Sequence, residues 1–298
     1  MTAFAPLHVL TGPTAVGKTE AALTWAEQHD AEILSCDSVC VYRGMDIGSA
    51  KPTAAQTARV RHHGLDLVEP SQRYSVAQYV EYAQAVIADA TARGKNILIT
   101  GGSGFYLAAF FGPVTDSLPI GDAVINEVRA LQERGPSAVL ARLQELEGTT
   151  LPVWLDQQNH IRVAKALERR LASGRTLDEL RDDFLQRPGP FTGHRVTSEL
   201  LERPDDELRQ RIAQRTREML RDGLIAEAEH LLTLALDPEL ASARAVGYRA
   251  TMDWIQGGKT VAFDGLAERI NLDTWALVRK QRKWFRRLGL TPGPNGPA

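Results

Sequence analysis

Residues 10–22 read LTGPTAVGKTEAA, and within them GPTAVGKT fits G-x-x-x-x-G-K-[ST] without a mismatch. No other feature of this 298-residue chain narrows its fold as far. A short apolar strand, LHVLTG, runs into the turn, and a helix through Glu27 follows it, which is the strand–loop–helix context of a P-loop. The stretch Gly12, Pro13, Thr14, Ala15, Val16, Gly17, Lys18 and Thr19 can wrap a phosphate. Backbone N–H groups converge on its oxygens, helped by the positive end of the following helix. Lys18 adds a point charge, and the Thr19 hydroxyl is placed to ligate Mg²⁺. The motif is specific for a di- or triphosphate and says little about the reaction.

The first 115 residues continue as alternating strands and helices. AEILSCD reads as a second strand and KNILITGGSG as a third, apolar in its middle and ending in glycines. Between them, Ser75–Arg93 has an N-cap serine, apolar residues at Val76, Tyr79, Val80, Ala83, Val86 and Ile87, and a stop at Gly94. This alternation predicts an α/β fold: a P-loop NTPase-like parallel sheet flanked by helices. From Asp116 to Phe191 the pattern turns helical and charged, bounded by the turn-rich DSLPIGD and RPGPFTGH. It reads as an inserted helical domain (116–191) within a core made of 1–115 and 192–298. RVTSELL reads as a returning strand, with further helices over DDELRQRIAQRTREMLRDG, LIAEAEHLLTLAL and a last long one through Trp284. The tail TPGPNGPA is expected to be disordered.

Apolar residues at 43% and charged residues at 24% are those of a soluble globular protein. No apolar run approaches the ~18–20 residues that cross a bilayer, and the N-terminus has no basic region of a signal peptide. A net charge of −2 does not announce a nucleic-acid partner, so only a local basic surface would serve one. Cys36 and Cys40 are the only cysteines, too few for a disulfide framework or a four-cysteine zinc site, and are expected as free buried thiols in a reducing cytoplasm.

Three features argue against an ordinary NTPase. The third strand ends in LITGGSG, without a Walker-B-type acid, and no N-K-x-D guanine-reading motif occurs. Instead Asp37 follows the second strand, and in a doubly wound sheet the carboxyl ends of strands line one crevice, here shared with Lys18 and Thr19. A carboxylate there can ligate metal-bound water or take a proton from a nucleophile. The alternative is an aspartate that caps the next turn.

GPTAVGKT, SCDSVCVYRGMDIGSAKP, RHHGLDLVEPSQRYSV, GGSGFYL, ARAVGYR and RKQRKWFRR, in order from Gly12 to Arg287, resemble the tRNA dimethylallyltransferase (isopentenyltransferase) family in its bacterial form. GMDIGSAKP close behind DSVCVYR is far more specific than the P-loop alone. The resemblance implies transfer of a dimethylallyl group from dimethylallyl diphosphate to N6 of the adenosine just 3′ of the anticodon, in tRNAs reading codons that begin with U. It implies that the loop grips a leaving diphosphate with Mg²⁺ at Thr19, that Asp37 acts as base, and that Arg215, in QRIAQRTREML, faces the diphosphate. On pattern alone Arg215 reads as an exposed helix charge.

The resemblance also implies an anticodon stem-loop as partner, contacted by three segments. These are Asp37, Ser38, Val39 and Cys40; Ile161, Arg162, Val163, Ala164 and Lys165; and Arg244, Ala245, Val246, Gly247, Tyr248 and Arg249. Ser103 stands where relatives often have threonine and keeps the hydroxyl for a substrate contact. Glycines 101, 102 and 104 allow close backbone approach at a strand end. Arg162, Lys165 and Arg169 share one helical face. RKQRKWFRR holds six basic residues in nine and reads as a backbone-binding helix, with Trp284 and Phe285 as core anchors. Departures are Cys40, where many relatives have glutamine, and Asn126, where they often have arginine. His62 and His63 read as structural. Rival readings are a small-molecule P-loop kinase, an isopentenyltransferase acting on free adenylate, and an RNA-binding switch. A monomer is expected.

Overall fold

The computed structural model describes residues 4–116, 118–148, 150–259 and 262–292. The chain separates into two compact units, Met1–Val114 with Gly189–Ala298, and Thr115–Pro188.

The larger unit is built on five strands: β1 (Leu7–Thr11), β2 (Ala31–Ser35), β3 (His62–His63), β4 (Asn96–Gly101) and β5 (Val196–Leu200). They lie in the order β3-β2-β4-β1-β5 and every pairing is parallel. β1 and β2 are near-continuous apolar runs because a parallel sheet is covered on both faces by its crossover helices. Helix α1 (Lys18–Gln28) links β1 to β2, and α2 (Ala54–Arg59) precedes β3. α3 (Val76–Ala92) leads into β4, and the short α4 (Gly104–Ala108) follows it. α3 begins where expected: Ser75 and Gln78 form a reciprocal capping box, typically stabilising by ~1 kcal/mol. Its face of Val76, Tyr79, Ala83, Val86, Ile87 and Ala90 is buried, and Tyr79 stacks on Tyr106 at 4.2 Å between ring centroids.

β3 has no apolar signature and extends the sheet beyond the strands read from sequence. His63 reaches Glu32 of β2 at 2.7 Å, and Arg93 closes on the same buried carboxylate at 2.5 and 2.8 Å. His62 in turn bonds the Val60 carbonyl at 2.8 Å, so both rings are engaged within the sheet unit. Phe191 stacks on Phe110 at 4.5 Å, so the chain has already returned to the sheet unit at a residue the sequence pattern leaves in the insertion.

After β5 come α9 (Asp205–Asp222), α10 (Leu224–Thr233), α11 (Tyr248–Gln256) and α12 (Phe263–Arg287). α9 and α12 pack together around Leu208, Ile212, Trp275 and Val278, and the cluster takes in Val16 of the glycine loop. The C-terminal helices thus bear directly on the glycine-rich turn after β1. Of the tail, Pro292 still bridges to Leu200; residues 293–298, where disorder was expected, lie outside the described residues.

Among the described residues the smaller unit holds four helices, which an independent apolar core explains. They are α5 (Asp122–Glu133), α6 (Pro136–Glu147), α7 (His160–Ser173) and α8 (Leu177–Gln186). Val128, Val139, Leu143, Val163, Ala164, Leu167 and Leu177 form that core. Proline at the start of α6, the Asn159 cap on α7 and the Thr176 capping box on α8 mark the boundaries.

Candidate active site

All five strands point their carboxyl ends to one edge of the sheet, so the loops after β1, β2, β4 and β5 meet there. Gly17 takes φ 105° at the entrance to α1, a conformation that favours glycine. Gly12 admits no side chain, since a Cβ would stand 2.5 Å from the Leu201 carbonyl oxygen. Lys18 folds its ammonium back onto the carbonyls of Gly12 and Pro13 at 2.8 and 2.9 Å. Arg215, on α9, reaches the Thr14 hydroxyl at 3.4 Å.

Burial, and then the neighbouring Arg215 charge, lowers the Lys18 ammonium to about 8, while Asp37 works the other way. Burial likewise lowers Arg215, again opposed by Asp37. Two desolvated cations therefore face a single carboxylate, an excess of positive charge suited to a polyanion. Arg215 is thus no exposed helix charge. Thr19 is exposed, and its hydroxyl has no hydrogen-bond partner among the described residues.

Asp37 caps its turn with one oxygen and leaves the other unbonded. Its Oδ1 accepts from the Val39 amide at 2.8 Å and the Cys40 amide at 3.4 Å, capping the turn after β2. Its Oδ2 has no partner among the described residues and remains free for a proton or a donor. The capping bond orients the carboxylate, and two backbone bonds hold β2 to β4 beneath it: Cys36 N–H to Thr100 O at 2.7 Å and Ser103 N–H to Cys36 O at 3.1 Å. Ser103 is half-buried and opens α4 on the same edge.

The glycines after β4 serve close approach. A Cβ on Gly101 would overlap the Cys36 carbonyl, one on Gly102 the Gln281 amide, and one on Gly104 the Trp284 indole. Gln281 escapes the sequence reading altogether. It lies within the basic run of α12 yet is buried, accepting from the Thr14 amide at 2.9 Å and donating to the Gly102 carbonyl at 3.1 Å. Arg203 and Arg211 escape it as well, donating to the carbonyls of Val16 and Ala15, each at 2.7 Å. The same basic run is only partly a free surface. Arg282 pairs with Glu202 and Asp205, Phe285 is core, and Arg279, Lys280, Lys283 and Arg286 are exposed.

The segment carrying Asp37, Ser38, Val39 and Cys40 is anchored at its far end. The Glu227 carboxylate accepts from the amides of Asp46, Ile47 and Gly48 and from the Tyr248 hydroxyl. Lys51 bonds the Tyr42 carbonyl at 2.9 Å and pairs with Asp66 and Asp46. Ser38 and Val39 are half-buried, and Cys40 and Cys36 are buried free thiols that burial pushes well above the usual range.

Of the other contact candidates, Arg244 and Arg249 are exposed, Val246 is half-buried, and Ala245, Gly247 and Tyr248 are buried. Tyr248 is a structural anchor. In the helical unit, Ile161, Arg162 and Lys165 are exposed, whereas Val163 and Ala164 belong to the core and offer no side chain to a partner. Lys165 pairs with Glu168, and Arg169 with Asp116, so Arg162 is the cation of that face without an ion pair among the described residues.

Sheet order, crossover helices and the loop after β1 define an α/β protein of the P-loop class. Within that class the chain belongs to the IPP transferase family, which it matches over residues 40–288. It is 49% identical over 280 residues to the tRNA dimethylallyltransferase of Opitutus terrae, covering 94% of this chain and 89% of that protein. With the tRNA dimethylallyltransferase of a Roseiflexus species it shares 38% over 285 residues, covering 95% and 90%. Its structure resembles that of tRNA delta(2)-isopentenylpyrophosphate transferase from Staphylococcus epidermidis, with a TM-score of 0.66, 26% identity and 97% and 92% of the two chains covered. The family read from the motifs is therefore confirmed.

Proposed function

We propose that this protein transfers the dimethylallyl group of dimethylallyl diphosphate to N6 of the adenosine 3′-adjacent to the anticodon, in tRNAs that read codons beginning with U. The observation that carries the reading is the convergence of Lys18, Arg215 and Asp37 at the loop after β1: two desolvated cations beside one carboxylate with a free oxygen.

Breaking the allylic C–O bond leaves negative charge on diphosphate and positive charge on the five-carbon unit. The loop amides, Lys18 and Arg215 stabilise the leaving group in place, the kind of preorganised electrostatics that contributes most to many rates. The exocyclic amine of adenine is a weak nucleophile, because its lone pair is delocalised. As the C–N bond forms, Oδ2 of Asp37 takes the N6 proton, and diphosphate departs with the electron pair of the broken bond. General-base help of this kind is typically ~10²–10⁴-fold. The unbonded Thr19 hydroxyl fits Mg²⁺, which takes one or two protein oxygens and completes its shell with phosphates and water. When bound it would neutralise charge on the diphosphate.

The adenine must leave the anticodon-loop stack before its amine can reach Asp37. The segments 37–40 with Ser103, 161–165 and 244–249 are the proposed contacts, with Arg162, Lys165, Arg244 and Arg249 on phosphates and the buried members holding backbone in place. The protein is read as a cytoplasmic monomer; no described helix is long and apolar enough to cross a membrane. The test is incubation with dimethylallyl diphosphate, Mg²⁺ and unmodified tRNA, followed by nuclease digestion. The expected product is N6-dimethylallyl adenosine at the one position. Recovery of adenosine alone would refute the assignment.

A further inference from the structure

Three consecutive residues at the crest of the phosphate loop are each tied to a side chain far away in sequence. The Thr14 amide donates to Gln281, the Ala15 carbonyl accepts from Nε of Arg211, and the Val16 carbonyl accepts from Nε of Arg203. Both guanidinium groups close on one turn: a Cβ on Gly17 would stand 3.6 Å from Arg211 Nη2 and 3.8 Å from Arg203 Nη2. The crest also contains Ala15 at φ 64°, the left-handed region that residues with a side chain seldom adopt.

We propose that Arg203 and Arg211 are positioning residues that hold the loop in its phosphate-receiving shape before the ligand arrives. A trans peptide is planar, with its carbonyl and its N–H on opposite sides. Fixing the Ala15 carbonyl therefore fixes the direction of the Val16 N–H, and fixing the Val16 carbonyl does the same for Gly17. Two guanidinium groups thereby aim two of the amides that must meet the diphosphate, and oppose the relaxation of Ala15 out of its left-handed state. The Val16 amide is lightly engaged meanwhile, by a 3.4 Å bond to the Pro13 carbonyl. Neither arginine is required to touch the substrate. The proposal rests on the reading of this loop as a diphosphate site.

The test is calorimetric binding of inorganic pyrophosphate with Mg²⁺ to the full chain and to Arg203→Ala, Arg211→Ala, Ala15→Gly and Arg211→Ala/Ala15→Gly. Arg211 is exposed, so its loss should leave the melting temperature nearly unchanged. Arg211→Ala should weaken pyrophosphate about tenfold, the equivalent of one charge-assisted hydrogen bond. It should raise KM for dimethylallyl diphosphate without raising KM for tRNA. Glycine at 15 removes the left-handed penalty and should recover roughly fivefold in the Arg211→Ala background, more than it changes in the parent. Unaltered affinity in both arginine variants would overturn the proposal, as would an Ala15→Gly effect equal in the two backgrounds, which would mark Arg211 as a simple charge. Failure of the parent protein to bind pyrophosphate would overturn the diphosphate reading itself, and this proposal with it.

Discussion

Replacing Glu227 by alanine should loosen the segment that presents Asp37, although Glu227 is 190 residues away in sequence. Its carboxylate accepts from Asp46 N–H at 3.0 Å, Ile47 N–H at 2.9 Å, Gly48 N–H at 3.2 Å and the Tyr248 hydroxyl at 2.6 Å. Tyr248 is fully buried, and Ile47 and Gly48 are half-buried; only Asp46 is exposed enough to turn to water. Leaving a buried donor unsatisfied costs ~1–3 kcal/mol. Gly48 N–H keeps the Tyr248 hydroxyl as acceptor at 3.1 Å, so two donors, Ile47 N–H and the Tyr248 hydroxyl, lose their partner. That gives ~2–4 kcal/mol against the ~5–15 kcal/mol of a typical domain. At ~2–4 °C per kcal/mol for a unit of this size, the melting temperature should fall by ~4–16 °C. Thermal unfolding by circular dichroism measures the first effect, and kcat/KM on an anticodon stem-loop the second, which should drop because residues 37–40 are less well placed. Glu227→Gln keeps one acceptor oxygen and should fall between. An alanine variant that melts within 2 °C of the parent with normal turnover would refute the anchoring argument.

Further expectations concern the pH response, Asp37 and the glycines after β4. In the free protein Lys18 loses its proton around pH 8, and a bound polyanion raises that value, so affinity for pyrophosphate should be flat in this term below 8 and weaken up to tenfold per unit above it. Titration calorimetry from pH 6.5 to 9.5 checks the sign, and affinity that strengthens above pH 8 would contradict it. Asp37→Asn keeps the Oδ1 cap on Val39 but removes the proposed base, so turnover should fall ~10²–10⁴-fold with the melting temperature unchanged. Gly101→Ala pushes on the Cys36 backbone and should destabilise by at least ~1–3 kcal/mol. Gly102→Ala displaces the Gln281 amide instead and should weaken diphosphate binding with a smaller change in stability, an order that melting and binding data together can reverse.

How much was legible follows from where each signal resides. β1, α1, β2, α3, β4 and β5 carry local marks: apolar runs, a serine cap with glutamine three residues on, glycines at strand ends. β3 carries none, because two histidines become a strand only by pairing with Ile33 and Leu34. α11 was hidden because its first residue, Tyr248, lies in a motif read as an RNA contact, whereas its hydroxyl is spent on Glu227 and Gly48. The placement of Asp37, Lys18 and Thr19 at one edge of the sheet was legible from their order after strands. Gln281 was not: a glutamine among six cations reads as polar surface, and its burial depends on partners 267 and 179 residues away. Arg203 and Arg211 were hidden the same way, as two of many arginines on a charged helix and its approach.

What the loop after β1 releases decides between alkyl transfer and phosphoryl transfer. With dimethylallyl diphosphate labelled in its phosphates and tRNA as acceptor, all the label should appear as free pyrophosphate, one mole per mole of alkylated adenosine, while γ-labelled ATP leaves no phosphate on the RNA. Label found covalently on an acceptor, or pyrophosphate formed without any five-carbon adduct, would contradict it.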